Sequence, residues 1–155
     1  MDENDAKWMR LSFEVAREAR EKGNHPFGAV LVDGAGRVLL KGENTVVTER
    51  DCTGHAETNL LREASRAFEP DFLATCTLYA SAEPCPMCAA AIFWSNVRRV
   101  VFGLSTVRLN GMVGEVSEDV MFLPSREVLS RGRKRIEVVG PVLEDEASEV
   151  VAGFW

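Results

Sequence analysis

The stretch "SAEPCPMCAAAIFW", Ser81 to Trp94, sets Cys85 and Cys88 three residues apart, with Pro84 and Pro86 flanking the first cysteine. Proline is favoured at the first position of a helix, so Pro86 opens one that runs to about Trp94. Side chains three apart on a helical turn face the same way. A helix N-terminus also favours the thiolate form of a cysteine. Alone, this pair suits a redox couple, half of a structural zinc knuckle, or part of a catalytic metal site.

Outward from this segment, strands and helices alternate. "TLYASA" (Thr77–Ala82) before it and "VRRVVFGL" (Val97–Leu104) after it read as strands. Upstream, Asp5 to Lys22 reads as a helix with Trp8, Leu11, Val15 and Ala19 on one stripe and Met9, Phe13 and Ala16 beside it; Gly23 ends it. "FGAVLVD" (Phe27–Asp33) and "RVLLKGENTV" (Arg37–Val46) flank the turn "DGAG" and form a hairpin. "HAETNLLREASRAF" (His55–Phe68) has helical spacing at Ala56, Leu60, Ala64 and Ala67, with Thr53 as its N-cap. After a glycine-containing loop come a short helix in "SREVLSRG", a strand in "RIEVVG" and a helix from Leu143 to Phe154. The alternation predicts an α/β fold, a mixed sheet sandwiched by helices. No linker interrupts it, so residues 1–155 are expected to form a single domain.

Bulk composition narrows the function classes. Hydrophobic residues make up 46% and charged residues 27% of the 155, ordinary values for a folded domain. "MDENDAKWMR" lacks the basic and apolar regions of a signal peptide. No apolar run approaches the roughly 18–20 residues of a membrane span. The expectation is a soluble, cytoplasmic protein with no membrane partner, in which closely spaced cysteines serve metal or redox chemistry and not disulfides. The net charge of −6 argues against broad charge-driven nucleic-acid binding. One basic run, "RGRKR" (Arg131–Arg135), is either a solvated loop or an RNA contact.

The third partner decides what the cysteines do. His55 also opens a helix, and its side chain leans back toward that helix's N-terminal end. His25 is the only other histidine, and Cys52 and Cys76 stand alone, so nothing completes a four-ligand structural site. Two cysteines and one histidine leave one tetrahedral position open, the mark of a catalytic zinc (Zn2+). Zinc lowers the pKa of bound water toward neutrality. Glu57, two residues past His55, is placed to move the protons without being a ligand. His25, next to Pro26, reads as structural, and Cys52 and Cys76 as ordinary small residues.

H-x-E followed by P-C-x-x-C matches the signature of zinc deaminases of nucleobases. The chain resembles the cytidine deaminase-like superfamily, in the branch of guanine deaminases and bacterial tRNA adenosine deaminases. "PFGAVLV", "GEN", "TGHAE", "SAEPCPMC" and "VRRVVFG" carry the likeness. The resemblance implies a three-layer α/β/α sandwich on a five-stranded mixed sheet. It implies zinc on His55, Cys85 and Cys88, Glu57 as proton shuttle, and zinc-bound hydroxide attacking the amine-bearing ring carbon with release of ammonia. It further implies that Asn44 contacts the base, that backbone N–H groups at Ala56 and Cys85 help hold substrate and hydroxide, and that the protein is a homodimer.

Substrate is less sharply marked. Trp94 stands where the guanine deaminase branch tends to carry tryptophan. Phe27 and Trp94 either wall a planar base or belong to the core. Glu115, Glu118 and Asp119 either supply a residue that reads a purine or lie in a solvated loop. Phe154 and Trp155 either cap the pocket or dock the last helix. The leading expectation is a zinc-dependent hydrolase, a deaminase of a small-molecule nucleobase or nucleoside such as guanine, another aminopurine or a triazine. The alternatives are a tRNA-specific adenosine deaminase and a non-catalytic zinc- or RNA-binding module.

Overall fold

The computed structural model describes residues 1–155. Helix α1 (Glu3–Glu21) is capped by Asp2, whose carboxylate accepts the Asp5 N–H while Asp5 accepts that of Asp2. It ends at Gly23 (φ 93°), where Gly23 and Asn24 donate to Arg20 and Ala19, the closed turn that glycine's freedom at positive φ allows. The buried face of α1 is Met9, Phe13, Val15, Ala16 and Ala19. Trp8 and Leu11, expected on the buried stripe, lie at its half-exposed edge.

Strands β1 (Gly28–Val32) and β2 (Val38–Glu43) form the expected antiparallel hairpin, with a bulge between Leu31 and Val32. Asp33 holds its turn by accepting the Ala35 and Arg37 N–H groups. Next come α2 (Ala56–Ala67), a single turn α3 (Pro70–Leu73), β3 (Thr77–Ala82), α4 (Pro86–Ser95) and β4 (Arg99–Leu104). The chain closes with α5 (Thr106–Val113), α6 (Ser125–Ser130), β5 (Glu137–Val139) and α7 (Glu144–Val151).

Three expectations are corrected. The segment after β4 contains α5, where a loop was expected; Ser105 caps it by accepting the Arg108 N–H. The N-cap of α2 is His55 and not Thr53, which instead bonds to Asp51. Ala67, placed on the apolar stripe of α2, is exposed.

The sheet has five strands in the order β2-β1-β3-β4-β5. β1 runs antiparallel to both its neighbours, and β3, β4 and β5 are mutually parallel. α1 and α7 pack on one face and α2, α4 and α6 on the other, with a buried apolar cluster on each side. This is the expected three-layer sandwich. Gly42 lets α2 sit directly on β2: a Cβ there would collide with the Ala56 carbonyl oxygen and reach within 2.8 Å of the Leu60 Cβ. Under the first face, Arg99 pairs with Asp5 at 2.8 and 2.9 Å and Tyr79 donates to the same carboxylate at 2.9 Å, so the buried charge is fully bonded.

Candidate metal centre and active site

The N-termini of α2 and α4 meet on one side of the sheet. His55 is the N-cap of α2 and Cys85 the N-cap of α4, with Cys88 one turn further on. The helix starts bring the His55 Nδ1 to 3.4 Å from the Cys85 Sγ and 3.5 Å from the Cys88 Sγ. The three ligand atoms lie within 4.8 Å of one another. A tetrahedral zinc with Zn–S near 2.3 Å and Zn–N near 2.05 Å separates sulfur from nitrogen by about 3.6 Å. The donor set therefore fits zinc in both chemistry and spacing.

The electrostatics agree. The Cys88 thiol and the His55 ring hold the Cys85 thiol well below its ordinary value. Cys85 in turn raises the His55 pKa. Both helix N-termini add partial positive charge, which favours anionic ligands.

Glu57 lies in the first turn of α2 and is 6% exposed. Burial, helped by the negative charge of Cys85 and opposed by His55, raises its pKa to about 7. A carboxyl poised there can take up and release a proton near neutrality. Ala56, the first residue of the helix, has an N–H outside the helical ladder.

Asn44 follows the end of β2 and is 1% exposed. Its Oδ1 accepts the Val46 N–H, while its Nδ2 makes no bond within the chain. Asn59 on α2 donates to the Glu43 carbonyl and the Thr45 hydroxyl at 2.9 Å each, tying the Asn44 turn to the helix that carries Glu57. From the far side, Asn24 accepts the Val47 and Thr48 N–H groups.

Phe27 is half-buried between the two cores and faces the Trp155 ring at 6.2 Å. His25, beside it, meets the Phe154 ring edge-on at 5.7 Å. Burial lowers the His25 pKa, the charge of His55 lowers it further, and Asp119 opposes them. His25 thus packs on the C-terminal aromatics within reach of the charge of His55. Of the three loop acids, Asp119 is the one whose charge reaches His25.

Trp94 does not join this group within its own chain. It sits at the far end of α4, nine residues and so about 13 Å along the axis from Cys85. It is 77% exposed, against Phe93 and beneath Lys134. Of its two expected places, the core is corrected, because its ring is exposed to solvent. Lys134, from the basic run, donates to the Phe93 carbonyl at 2.8 Å, so part of that run serves to hold α4.

Two polar contacts escaped the sequence reading. The Thr58 hydroxyl lies 3.1 Å from the Cys88 Sγ. Glu83 accepts bonds from Thr106 and Ser125. Each joins residues far apart in the chain, which local pattern does not reveal.

Three protein ligands with a buried carboxyl beside them define a zinc site of the hydrolytic class. The chain belongs to the cytidine and deoxycytidylate deaminase zinc-binding family, whose zinc-binding region matches residues 2–104. It is a zinc-dependent deaminase, a hydrolase acting on C–N bonds. It is 40% identical to a probable cytosine deaminase of Schizosaccharomyces pombe over 100% of this chain and 94% of that one. It is 35% identical to the tRNA-specific adenosine deaminase of Haemophilus influenzae over 99% of this chain and 84% of that one. Among solved structures, the guanine deaminase of Nitrosomonas europaea superposes with a TM-score of 0.78 at 26% identity, covering 93% of this chain and 80% of that one. No helix is long and apolar enough to cross a membrane.

Proposed function

We propose that this deaminase acts on a free nucleobase, with cytosine as its leading substrate. The observation that carries this reading is the aromatic pair Phe154–Trp155, packed against Phe27 and against His25, which feels the charge of the ligand His55. An aromatic cluster of this kind, if it lies over the ligands, suits a single planar ring better than a nucleotide held in a polynucleotide. The preference for cytosine rests on likeness to the Schizosaccharomyces pombe protein along the whole chain. Guanine, the expectation from sequence, is the second reading, supported by likeness to the Nitrosomonas europaea structure.

In this reading each group has one task. Bound zinc supplies the Lewis acidity that makes water nucleophilic near neutral pH. Glu57 would take a proton from that water and pass it to the ring nitrogen, then take the proton of the hydroxyl newly attached to carbon and hand it to the departing amine, leaving a carbonyl. A C–O bond forms, the exocyclic C–N bond breaks, and ammonia leaves. Asn44 offers its Nδ2 donor to the base, the Ala56 N–H adds a second donor, and Phe27 lies along one face of the ring. Asp119 is the loop acid suited to accept from a ring N–H. We place no substrate contact on Trp94 of the same chain.

The test is an ammonia-release panel on the zinc-loaded protein: cytosine, guanine, adenine, their nucleosides, small triazines and an anticodon stem-loop RNA. Turnover of cytosine above the other compounds is expected. Turnover of the stem-loop alone overturns the free-base reading.

A further inference from the structure

We propose that Thr58 fixes the Cys88 thiolate through an O–H···S hydrogen bond and so sets how tightly the chain holds zinc. Thr58 lies three residues after His55 on the first turn of α2, so both side chains project from the same side of that helix. Cys88 belongs to α4, which packs against α2. The Thr58 Oγ1 stands 3.1 Å from the Cys88 Sγ. As a zinc ligand Cys88 is a thiolate and has no proton to give, so the hydroxyl is the donor.

Two further facts make this more than packing. A helical threonine commonly turns its hydroxyl back onto a carbonyl of the preceding turn. Here the only hydrogen-bond partner of the Thr58 hydroxyl is the Cys88 sulfur. Cys88 is also fully buried, whereas Cys85 is only partly buried. A buried anion without a bonded partner is costly, so of the two sulfurs Cys88 has the greater need of a donor. The bond orients the sulfur toward the His55 Nδ1 and stabilises its charged form. Groups that hold metal ligands in this way typically change metal affinity by 10- to 100-fold when removed.

The inference rests on zinc binding by His55, Cys85 and Cys88, and the experiment separates the two. Zinc dissociation constants are measured by chelator competition at one fixed pH for wild type, Thr58→Val, Thr58→Ala and Thr58→Ser. Loss of the hydroxyl in Val or Ala is expected to weaken zinc about 10- to 100-fold, while Ser stays within a few-fold of wild type. In the cobalt(II)-substituted proteins, the thiolate-to-cobalt absorption should shift for Val and Ala and return toward wild type for Ser. The metal-free proteins should melt together. Wild-type affinity and an unchanged cobalt spectrum in both Val and Ala would overturn the proposal. So would Ser weakening zinc as much as Val, or metal-free Val and Ala losing as much stability as their zinc-loaded forms. A wild-type chain that takes up no zinc would instead overturn the ligand assignment itself.

Discussion

The Glu83 carboxylate accepts both the backbone N–H and the hydroxyl of Ser125 at 2.9 Å, across 42 residues of chain. Its other oxygen accepts the Thr106 N–H at 3.0 Å. Glu83 therefore joins the starts of α5 and α6 to the residue just before Pro84 and Cys85. Glu83→Ala should leave three donors without their partner and cost about 1–3 kcal/mol, read by chemical denaturation. Glu83→Gln should cost less, because it keeps one carbonyl acceptor. Equal stability of the Ala variant and wild type would show that this strap contributes nothing.

Removing the Glu57 carboxylate should separate metal binding from chemistry. Glu57→Gln is expected to keep stoichiometric zinc by metal analysis and to lose at least about 100-fold in ammonia release, the lower end of what a positioned proton carrier contributes. Turnover near the wild-type rate would remove Glu57 from its proposed role.

Loss of a ligand should act on both metal and fold. Cys85→Ala and Cys88→Ala are each expected to purify with little zinc and to melt lower than wild type, because zinc held only by the folded form stabilises it. Stripping wild type with a chelator should lower its melting temperature in the same direction. Full zinc occupancy in both variants contradicts the ligand set.

The Asp5–Arg99 pair sets an acid limit on stability. The hydrogen-bonded Arg99 guanidinium holds the Asp5 carboxyl down at about 2, against an ordinary 3.8. A folded-state pKa below the unfolded one stabilises the fold above the unfolded value and is lost as pH falls through the folded one. The bonds to the Asp5 carboxylate, Arg99 foremost with Tyr79 and the Asp2 N–H beside it, should therefore contribute about 2 kcal/mol at neutral pH, declining below about pH 5 and lost as pH falls through about 2. Asp5→Asn should flatten the stability curve over that interval, measured by urea denaturation at several pH values. An Asn variant with the wild-type acid slope would contradict the assignment.

Much of this molecule was legible from local pattern. Pro86 and the spacing of Cys85 and Cys88 disclosed both a helix start and a shared face, and α4 begins there. His55 and Glu57 in one turn, with the alternation of strands and helices, disclosed the site and the layered sandwich around it. What escaped depended on groups brought together by the tertiary fold. Trp94 had the composition of a pocket residue, but the length of α4 carries it away from the ligands. Helix α5 was obscured because Asn110 and Gly111 read as loop residues, while the capping Ser105 was the signal available. His55 itself begins α2, so the nearby Thr53 was a misleading cap. Thr58 and Glu83 owe their partners to contacts across 30 and 42 residues.

Gly42 allows the first turn of α2 to rest on β2, and that close seating has a bearing on how the centre comes apart. His55 and Cys85 are 30 residues apart in the chain. Across them a bound zinc would act as a staple: for as long as it gripped both, the opened chain would stay looped, a restriction worth about 3–4 kcal/mol for a loop of this size. Because the histidine's helix is wedged against the sheet at a position with no room for even a methyl group, fraying of one helix end is a poor escape route. Release of the metal and separation of α2 from the sheet should therefore share one barrier, giving the centre a lifetime set by the fold and not by its three bonds alone.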